Sequence, residues 1–163
     1  KVNEENKSLS INGSIVEEIV IKVPKNKILE GNIDIGVGNI RAENLKNVII
    51  ALSTGDFESK NIDGFQKLNV NLGSIKISNS KNISEVKIGT GDITIDLVEQ
   101  NKDFLVKNGM GDVDLSINNK FNGKIETNVG LGDIRETNLK TKGNKNSGVI
   151  EVGTGDLSIE GVD

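Results

Sequence analysis

Acidic side chains recur in this chain directly behind a short glycine motif, and they are its clearest candidates for chemistry. The motif Gly-x-Gly-Asp, followed by an apolar residue, occurs in four strict copies, which begin at Gly89, Gly109, Gly130 and Gly153. Three looser copies precede them, at residues 36–40, 53–57 and 71–75. The residue after the second glycine is, in chain order, Asn39, Asp56, Ser74, Asp92, Asp112, Asp133 and Asp156. Because Ca²⁺ accepts rows of carboxylate oxygens as ligands, one interpretation of this column is a cation site.

The second interpretation is structural, and it is the one that we expect. Asp at a solvated turn bonds to nearby backbone amides, which stabilises the turn without a metal. Calcium-binding β-rolls repeat every nine residues with denser Gly and Asp, and the repeat in this chain is about twice that length or more. We therefore expect that the column holds no metal and that the chain needs no cofactor.

The composition narrows the range of functions further. The chain of 163 residues has no His, Cys, Trp or Tyr and only four Phe, so imidazole and thiol chemistry, Cys/His zinc sites and disulfides are excluded. A net charge of −4 gives no basic footprint, and we expect no nucleic-acid partner. The longest apolar run, residues 48–52, is far too short to span a membrane.

A carbohydrate-active enzyme is the main catalytic alternative, because parallel β-helices host lyases and hydrolases. Hydrolysis needs two carboxylates about 5–9 Å apart in different environments. With 24 acidic residues some pair will meet that distance, so the spacing has no weight. Substrate positioning argues against an enzyme, because the chain has only two Arg, Arg41 and Arg135, and no Trp or Tyr to stack on a sugar ring. We expect that the protein is not an enzyme.

The elements that position the acidic column follow from the repeat itself. All seven copies share their second glycine, at Gly38, Gly55, Gly73, Gly91, Gly111, Gly132 and Gly155. On both sides of it apolar residues alternate with polar ones, as in a strand with one buried face. The apolar positions are odd offsets before the glycine and even offsets after it. Both halves can face one core only if the chain bends at the glycine, whose positive φ permits such an arc.

The repeat predicts an all-β, single-domain parallel β-solenoid, similar to a β-helix or β-roll, with about seven rungs and a length of roughly 34 Å. The domain covers residues 1–163, of which 31–163 form the rungs. Residues 1–30 are interpreted as N-terminal strands that cap the first rung, since repeat arrays need caps. We expect the rung around Gly155 to form the opposite end, where the sequence offers no obvious cap. Either the fragment was cut there, or a partner covers that end.

Four segments carry a resemblance to a known family. Residues 19–25 and 33–45 resemble the opening of a bacterial adhesin-domain family, otherwise described as a domain of unknown function, and residues 89–97 and 153–161 resemble its internal repeats. The similarity extends over residues 15–163. It implies a β-solenoid attached to the bacterial cell envelope, and it transfers no catalytic residues. Asn39, Ser74 and Asn108 depart from the repeat pattern and put the regularity of those rungs in doubt.

From this resemblance we expect a non-catalytic surface domain that acts in adhesion, ligand sensing or protein–protein contact. Its partner would be an envelope polymer or protein, at the cell surface or associated with the envelope, with the cytoplasm left open. The alternative from another class is a self-assembling structural element, in which the C-terminal rung stacks end to end on another copy.

Overall fold

A computed structural model describes residues 2–3, 8–24 and 30–163, and in this part of the chain it contains strands and no helix. The strands are β1 (Val2–Asn3), β2 (Ser8–Lys22), β3 (Glu30–Glu43), β4 (Lys46–Thr54), β5 (Phe57–Lys60), β6 (Asp63–Leu72), β7 (Ile75–Lys81), β8 (Glu85–Thr90), β9 (Ile93–Glu99), β10 (Phe104–Met110), β11 (Val113–Asn118), β12 (Gly123–Leu131), β13 (Ile134–Thr137), β14 (Asn146–Thr154) and β15 (Leu157–Val162).

The strands form a single parallel β-solenoid of about seven turns, which confirms the predicted fold class. Each rung has one strand before the arc glycine and one after it, and β3 runs through both positions. The strands before the arc stack in the order β3-β4-β6-β8-β10-β14-β12, and those after it in the order β3-β5-β7-β9-β11-β15-β13. All pairings between rungs are parallel.

The core lies between the two stacks of strands and consists of aligned apolar columns. Ile75, Ile93 and Val113, for example, are register partners in successive rungs, and all three are buried. A fully buried aliphatic side chain contributes about 1.5–3 kcal/mol relative to an exposed one. Because every rung contributes to the same columns, the stability of one rung depends on contact with its neighbours.

The order of the last two rungs differs from the order in the chain. The rung formed by β14 and β15 lies between the β10/β11 rung and the β12/β13 rung, so that Ile150 pairs with Val106 on one side and with Thr127 on the other. The prediction that the rung around Gly155 forms the open end is therefore wrong; the rung around Gly132 forms it.

The inward columns give a physical reason for this exchange. In β14 and β15 the inward positions are apolar and buried, whereas the β12/β13 rung has Thr127 and the exposed Glu136 in the corresponding positions. A charge between two rungs would lose its hydration, so the polar rung is more stable at the end. The connections allow the exchange: residues 119–122 can cross two rung spacings of about 4.8 Å each.

At the other end, β2 covers the first rung. It pairs in parallel with β3 on both sides of the arc, and β1 adds a short antiparallel pairing at Ser8 and Leu9. Residues 1, 4–7 and 25–29 of the predicted N-terminal cap lie outside the described residues.

A ladder of asparagine side chains lies on the side of the solenoid where the chain returns to the next rung. Asn44, Asn61 and Asn79 all have positive φ, between 48° and 58°. The amide of Asn61 donates to the side-chain oxygen of Asn44, and Asn79 donates in the same way to Asn61. The apolar residues that follow the first two, Leu45 and Ile62, are buried. This ladder holds the return segments of three rungs in register.

Candidate functional site: the arc surface

The seven arc glycines have the backbone conformation that the phase of the repeat requires. Their φ angles lie between 126° and 146°, a region that L-residues rarely adopt. The arcs are also packed directly on one another: a Cβ added at Gly91 would overlap the carbonyl oxygen of Gly73 in the neighbouring rung. Glycine is thus needed both for its conformation and for the close approach of the backbones.

The residues after these glycines form a hydrogen-bond ladder in two stretches, one from Asn39 to Ser74 and one from Asp92 to Asp133. In each case the backbone N–H of one residue donates to the side-chain Oδ1 of its counterpart in the adjacent rung. The pairs are Asp56 to Asn39 (3.0 Å), Ser74 to Asp56 (2.9 Å), Asp112 to Asp92 (3.0 Å), Asp156 to Asp112 (2.8 Å) and Asp133 to Asp156 (2.9 Å). The bonds therefore join different rungs, whereas the sequence suggested bonds to nearby amides of the same turn.

The three departures from the repeat pattern do not interrupt the arcs. The side-chain oxygen of Asn39 takes the place of a carboxylate in the ladder, and the backbone N–H of Ser74 joins it as a donor. Asn108 points inward and is buried, and its amide donates to the carbonyl oxygens of Gly91 (2.9 Å) and Asp112 (3.3 Å). A polar residue in the core column thus stabilises two arc carbonyls.

The ladder is an exposed row of single carboxylates. Among the described residues, no three acidic side chains converge in the way that a metal ion requires. The Lys81–Glu99 ion pair (2.7 Å) raises the pKa of the lysine and lowers that of the glutamate, and Lys87 (2.6 Å) lowers the pKa of Glu85.

A line of apolar side chains borders the Asp row. The residue before each arc glycine points to solvent, and we call this column, together with its register partner in β2, the arc ridge. In spatial order the ridge consists of Ile15, Val37, Thr54, Leu72, Thr90, Met110, Thr154 and Leu131. The exposed fractions of its apolar members are 79% for Ile15, 45% for Val37, 51% for Leu72, 56% for Met110 and 70% for Leu131. From Val37 onward, apolar residues and threonines alternate along the solenoid.

Sequence reasoning missed the arc ridge, although the signal was present. In the alignment on the arc glycine, the preceding residue is aliphatic, Met or Thr in every copy. An apolar residue beside an inward column is easily assigned to the core. The alternation is hidden as well, because Met110 and Leu131 follow one another in the chain while Thr154 separates them in space.

A shallow groove of about 640 Å³ runs beside the ridge across the strands that precede the arcs. Its floor has a glycine two residues before each of four arc glycines, at Gly89, Gly109, Gly130 and Gly153. Lys87 and Lys107 lie along it, and each is engaged in an ion pair with a glutamate, Glu85 and Glu151 respectively. The groove therefore provides open space next to the ridge, and the charges of these two lysines are already paired.

The class of protein is thus a parallel β-solenoid with exposed ladders of side chains along its arcs. A family model described as Toastrack DUF4097 matches residues 1–160. The chain belongs to this family, whose members are domains of unknown function. The comparisons with curated proteins and with solved structures found no significant match. In the described part of the chain, no helix is long and apolar enough to cross a membrane.

Proposed function

We propose that this protein is a non-catalytic binding domain of the bacterial cell envelope, and that it holds an extended polypeptide segment of another protein along the arc ridge. The observation that carries the proposal is the position of the exposed apolar side chains. Of the nine large apolar residues that are exposed in the described chain, five belong to this one column. Exposed apolar groups that gather on one surface beside polar residues mark interaction sites, and from Val37 onward they recur here at every second rung of one column, with threonines between them.

The charge beside the ridge defines the chemistry of the partner. Asp56, Asp92, Asp112, Asp156 and Asp133 are exposed and follow the ridge two residues further along each arc. A partner that covers both rows therefore needs apolar side chains for the ridge and Lys or Arg for the carboxylates. Such complementarity chiefly determines specificity and the rate of association, and it weakens with salt.

The envelope location rests on the adhesin resemblance of the repeats. An elongated solenoid suits this role, because its flat sides offer long surfaces for extended partners. The absence of catalysis is part of the proposal: the acidic groups of the arc form single rows, and the chain has no His or Cys to serve as a base or nucleophile.

The test uses a variant that removes the middle of the ridge and leaves both ends of the solenoid intact. Leu72→Ser/Met110→Ser carries the change, and Ile49→Ser/Val98→Ser, at exposed apolar positions outside the ridge, serves as the matched control. Proteins captured from the envelope fraction of the source organism are identified, and the binding of the purified partner is then measured by calorimetry.

We expect the ridge variant to bind at least about tenfold more weakly, since each substitution removes roughly 1 kcal/mol or more of apolar contact. The control variant should bind like the parent, and the affinity of the parent should fall with salt. Equal affinities of parent and ridge variant would refute the proposed binding surface, and turnover of a polysaccharide that is lost in an acidic-residue variant would refute the absence of catalysis.

A further inference from the structure

The rung formed by β12 and β13 has unpaired strand edges. On one side these strands pair with β14 and β15, and the described residues provide no partner on the other side. Leu131 in the ridge and Ile134 in an inward column are exposed there, by 70% and 46% respectively. Exposed strand edges with apolar side chains are templates for pairing with another chain.

The opposite end of the solenoid has the complementary edge. Beyond the two residues that β1 covers, β2 pairs only with β3 within the described chain. Ile15 is 79% exposed at this end. It is the register partner of Val37 and therefore belongs to the same ridge column as Leu131. Among the side chains whose exposure the structure describes, the two most exposed large apolar ones thus lie at equivalent positions on the two ends.

We propose that a second copy of this chain stacks head to tail on the β12/β13 rung, with its β2 strand continuing the solenoid. If the register of the repeat is kept, Leu131 lies beside Ile15 of the next copy, and Ile134 lies beside its Ile19. The ends are similar in chain direction and rung shape, because β2 crosses both stacks of strands as the rungs do. This proposal concerns the ends of the solenoid and does not depend on the proposed binding along its side.

Charge complementarity supports the same register. Within the chain, Arg41 forms ion pairs with Glu18 of the preceding rung (3.0 Å) and with Glu58 of the following rung (3.3 Å). Arg135 occupies the position of Arg41 in the terminal rung, and the ion pairs of the described residues do not include it. In the stack, Glu18 of the next copy would lie on the rung that follows Arg135, in register with Asp133 and two positions from the arginine along the strand. Within the chain Arg41 reaches Glu18 over the same offset on the preceding rung, so Arg135 would lie close to the carboxylates of both Asp133 and Glu18.

Glu136 limits the strength of this contact. Its register partner is the buried Ile159, so its side chain stands in an inward column at the open edge. Stacking would place it opposite Ile21 of the next copy and remove water from its carboxylate. Inward charges at sheet edges are a known restraint on edge pairing. The stack is therefore weak and reversible, and the fraction of stacked chains rises with protein concentration.

The first experiment is a cross-link, which the absence of cysteine makes unambiguous. Cysteines are introduced as Ile15→Cys/Leu131→Cys in one chain, and the protein is oxidised at high concentration. Neighbouring parallel strands lie about 4.8 Å apart, within the range of Cα distances that a disulfide spans. We expect ladders of covalent oligomers from the double variant, and only traces of dimer from either single variant. A double variant that stays monomeric, or a Leu131→Cys variant that dimerises as efficiently as the double variant, would overturn the head-to-tail arrangement.

The second experiment measures association by sedimentation velocity over a range of concentrations. We expect Glu136→Leu to strengthen self-association at least about tenfold, because it removes the buried charge. Arg135→Glu should weaken it several-fold, because it places like charges together. Lys76→Glu, at the same position in a central rung, is the matched control and should associate like the parent. Identical association of all four proteins, with melting curves that show each of them folded, would overturn the proposal.

Discussion

The ladder of acidic residues predicts a specific difference between two substitutions at Asp112. Its Oδ1 accepts the backbone N–H of Asp156 at 2.8 Å, and its own N–H donates to Asp92 at 3.0 Å. Asp112→Asn keeps an oxygen acceptor at this position, whereas Asp112→Ala removes it. Asn39, which accepts the N–H of Asp56 at 3.0 Å, shows that an asparagine can serve in this ladder.

The magnitude follows from the fact that both substitutions remove the same charge. Repulsion between Asp112 and each neighbouring carboxylate, about 0.8 kcal/mol in water for unit charges about 5 Å apart and less with salt, is relieved equally in the two variants. Their difference therefore isolates one hydrogen bond between neutral groups, which contributes about 0.5–1.5 kcal/mol. We expect Asp112→Ala to be about 1 kcal/mol less stable than Asp112→Asn, and Asp112→Asn to be at least as stable as the parent.

The assay is urea denaturation followed by circular dichroism, with the free energy of unfolding compared among the variants. Asp114→Asn and Asp114→Ala, at an exposed position on the outer face of β11, provide the matched control pair. Their difference should stay within about 0.5 kcal/mol, as for most surface substitutions. Equal stabilities of the two Asp112 variants would refute the role of this side chain in joining the rungs.

Three further predictions concern the arc, calcium and acid. Gly91→Ala should destabilise the protein by at least about 2 kcal/mol in urea denaturation, because it combines a strained φ with an overlap against the arc of the neighbouring rung. The control variant Thr94→Ala, on the outer face, should lower the free energy of unfolding by less than about 0.5 kcal/mol. Millimolar calcium should leave the melting temperature unchanged in the parent and in the fourfold Asp→Asn variant of the strict motif copies; a calcium-dependent rise of several degrees in the parent alone would contradict the structural role of the row. Lys87 lowers the pKa of Glu85 in the folded protein, so this carboxylate contributes to the stability of the fold. Its contribution is fully present above the ordinary glutamate pKa of about 4.3, and it is lost as the pH falls through the lower pKa of the folded state. Glu85→Gln should therefore show a smaller loss of stability than the parent between about pH 4.5 and pH 3, and equal losses would contradict this assignment.

Most of the fold could be predicted from the sequence, because the repeat constrains the conformation of the chain at every rung. The change of phase at the arc glycines required a bend, and the apolar columns on both sides required a common core. The direction of the ladder bonds was not accessible, because an Asp at a turn can bond within its own turn or to the next rung. Only the stacking of the arcs, which brings Asp156 N–H to Asp112, decides between them.

The order of the rungs was the part that local patterns could not give. Each copy has nearly the same columns, so any two rungs can pair in register, and adjacency in the chain is the natural expectation. The polar residues Thr127 and Glu136 were visible as exceptions in their columns. These two exceptions alone do not place the rung at the end of the solenoid. Its place depends on which of the two rungs, β12/β13 or β14/β15, is more stable in the interior position. The arc ridge was missed for a related reason, since its alternation exists only in the spatial order.

The rung order underlies both the alternating ridge and the terminal edge, and paired cysteines test it directly in this cysteine-free chain. In the structure Thr154 is the register partner of both Met110 and Leu131, so these two residues lie two rungs, about 9.6 Å, apart. Met110→Cys/Thr154→Cys should form an intramolecular disulfide in dilute solution, whereas Met110→Cys/Leu131→Cys, whose Cα atoms exceed the range of a disulfide, should stay reduced. The opposite result, with an efficient bond between positions 110 and 131 and none between 110 and 154, would show that the rungs stack in chain order and would contradict the account.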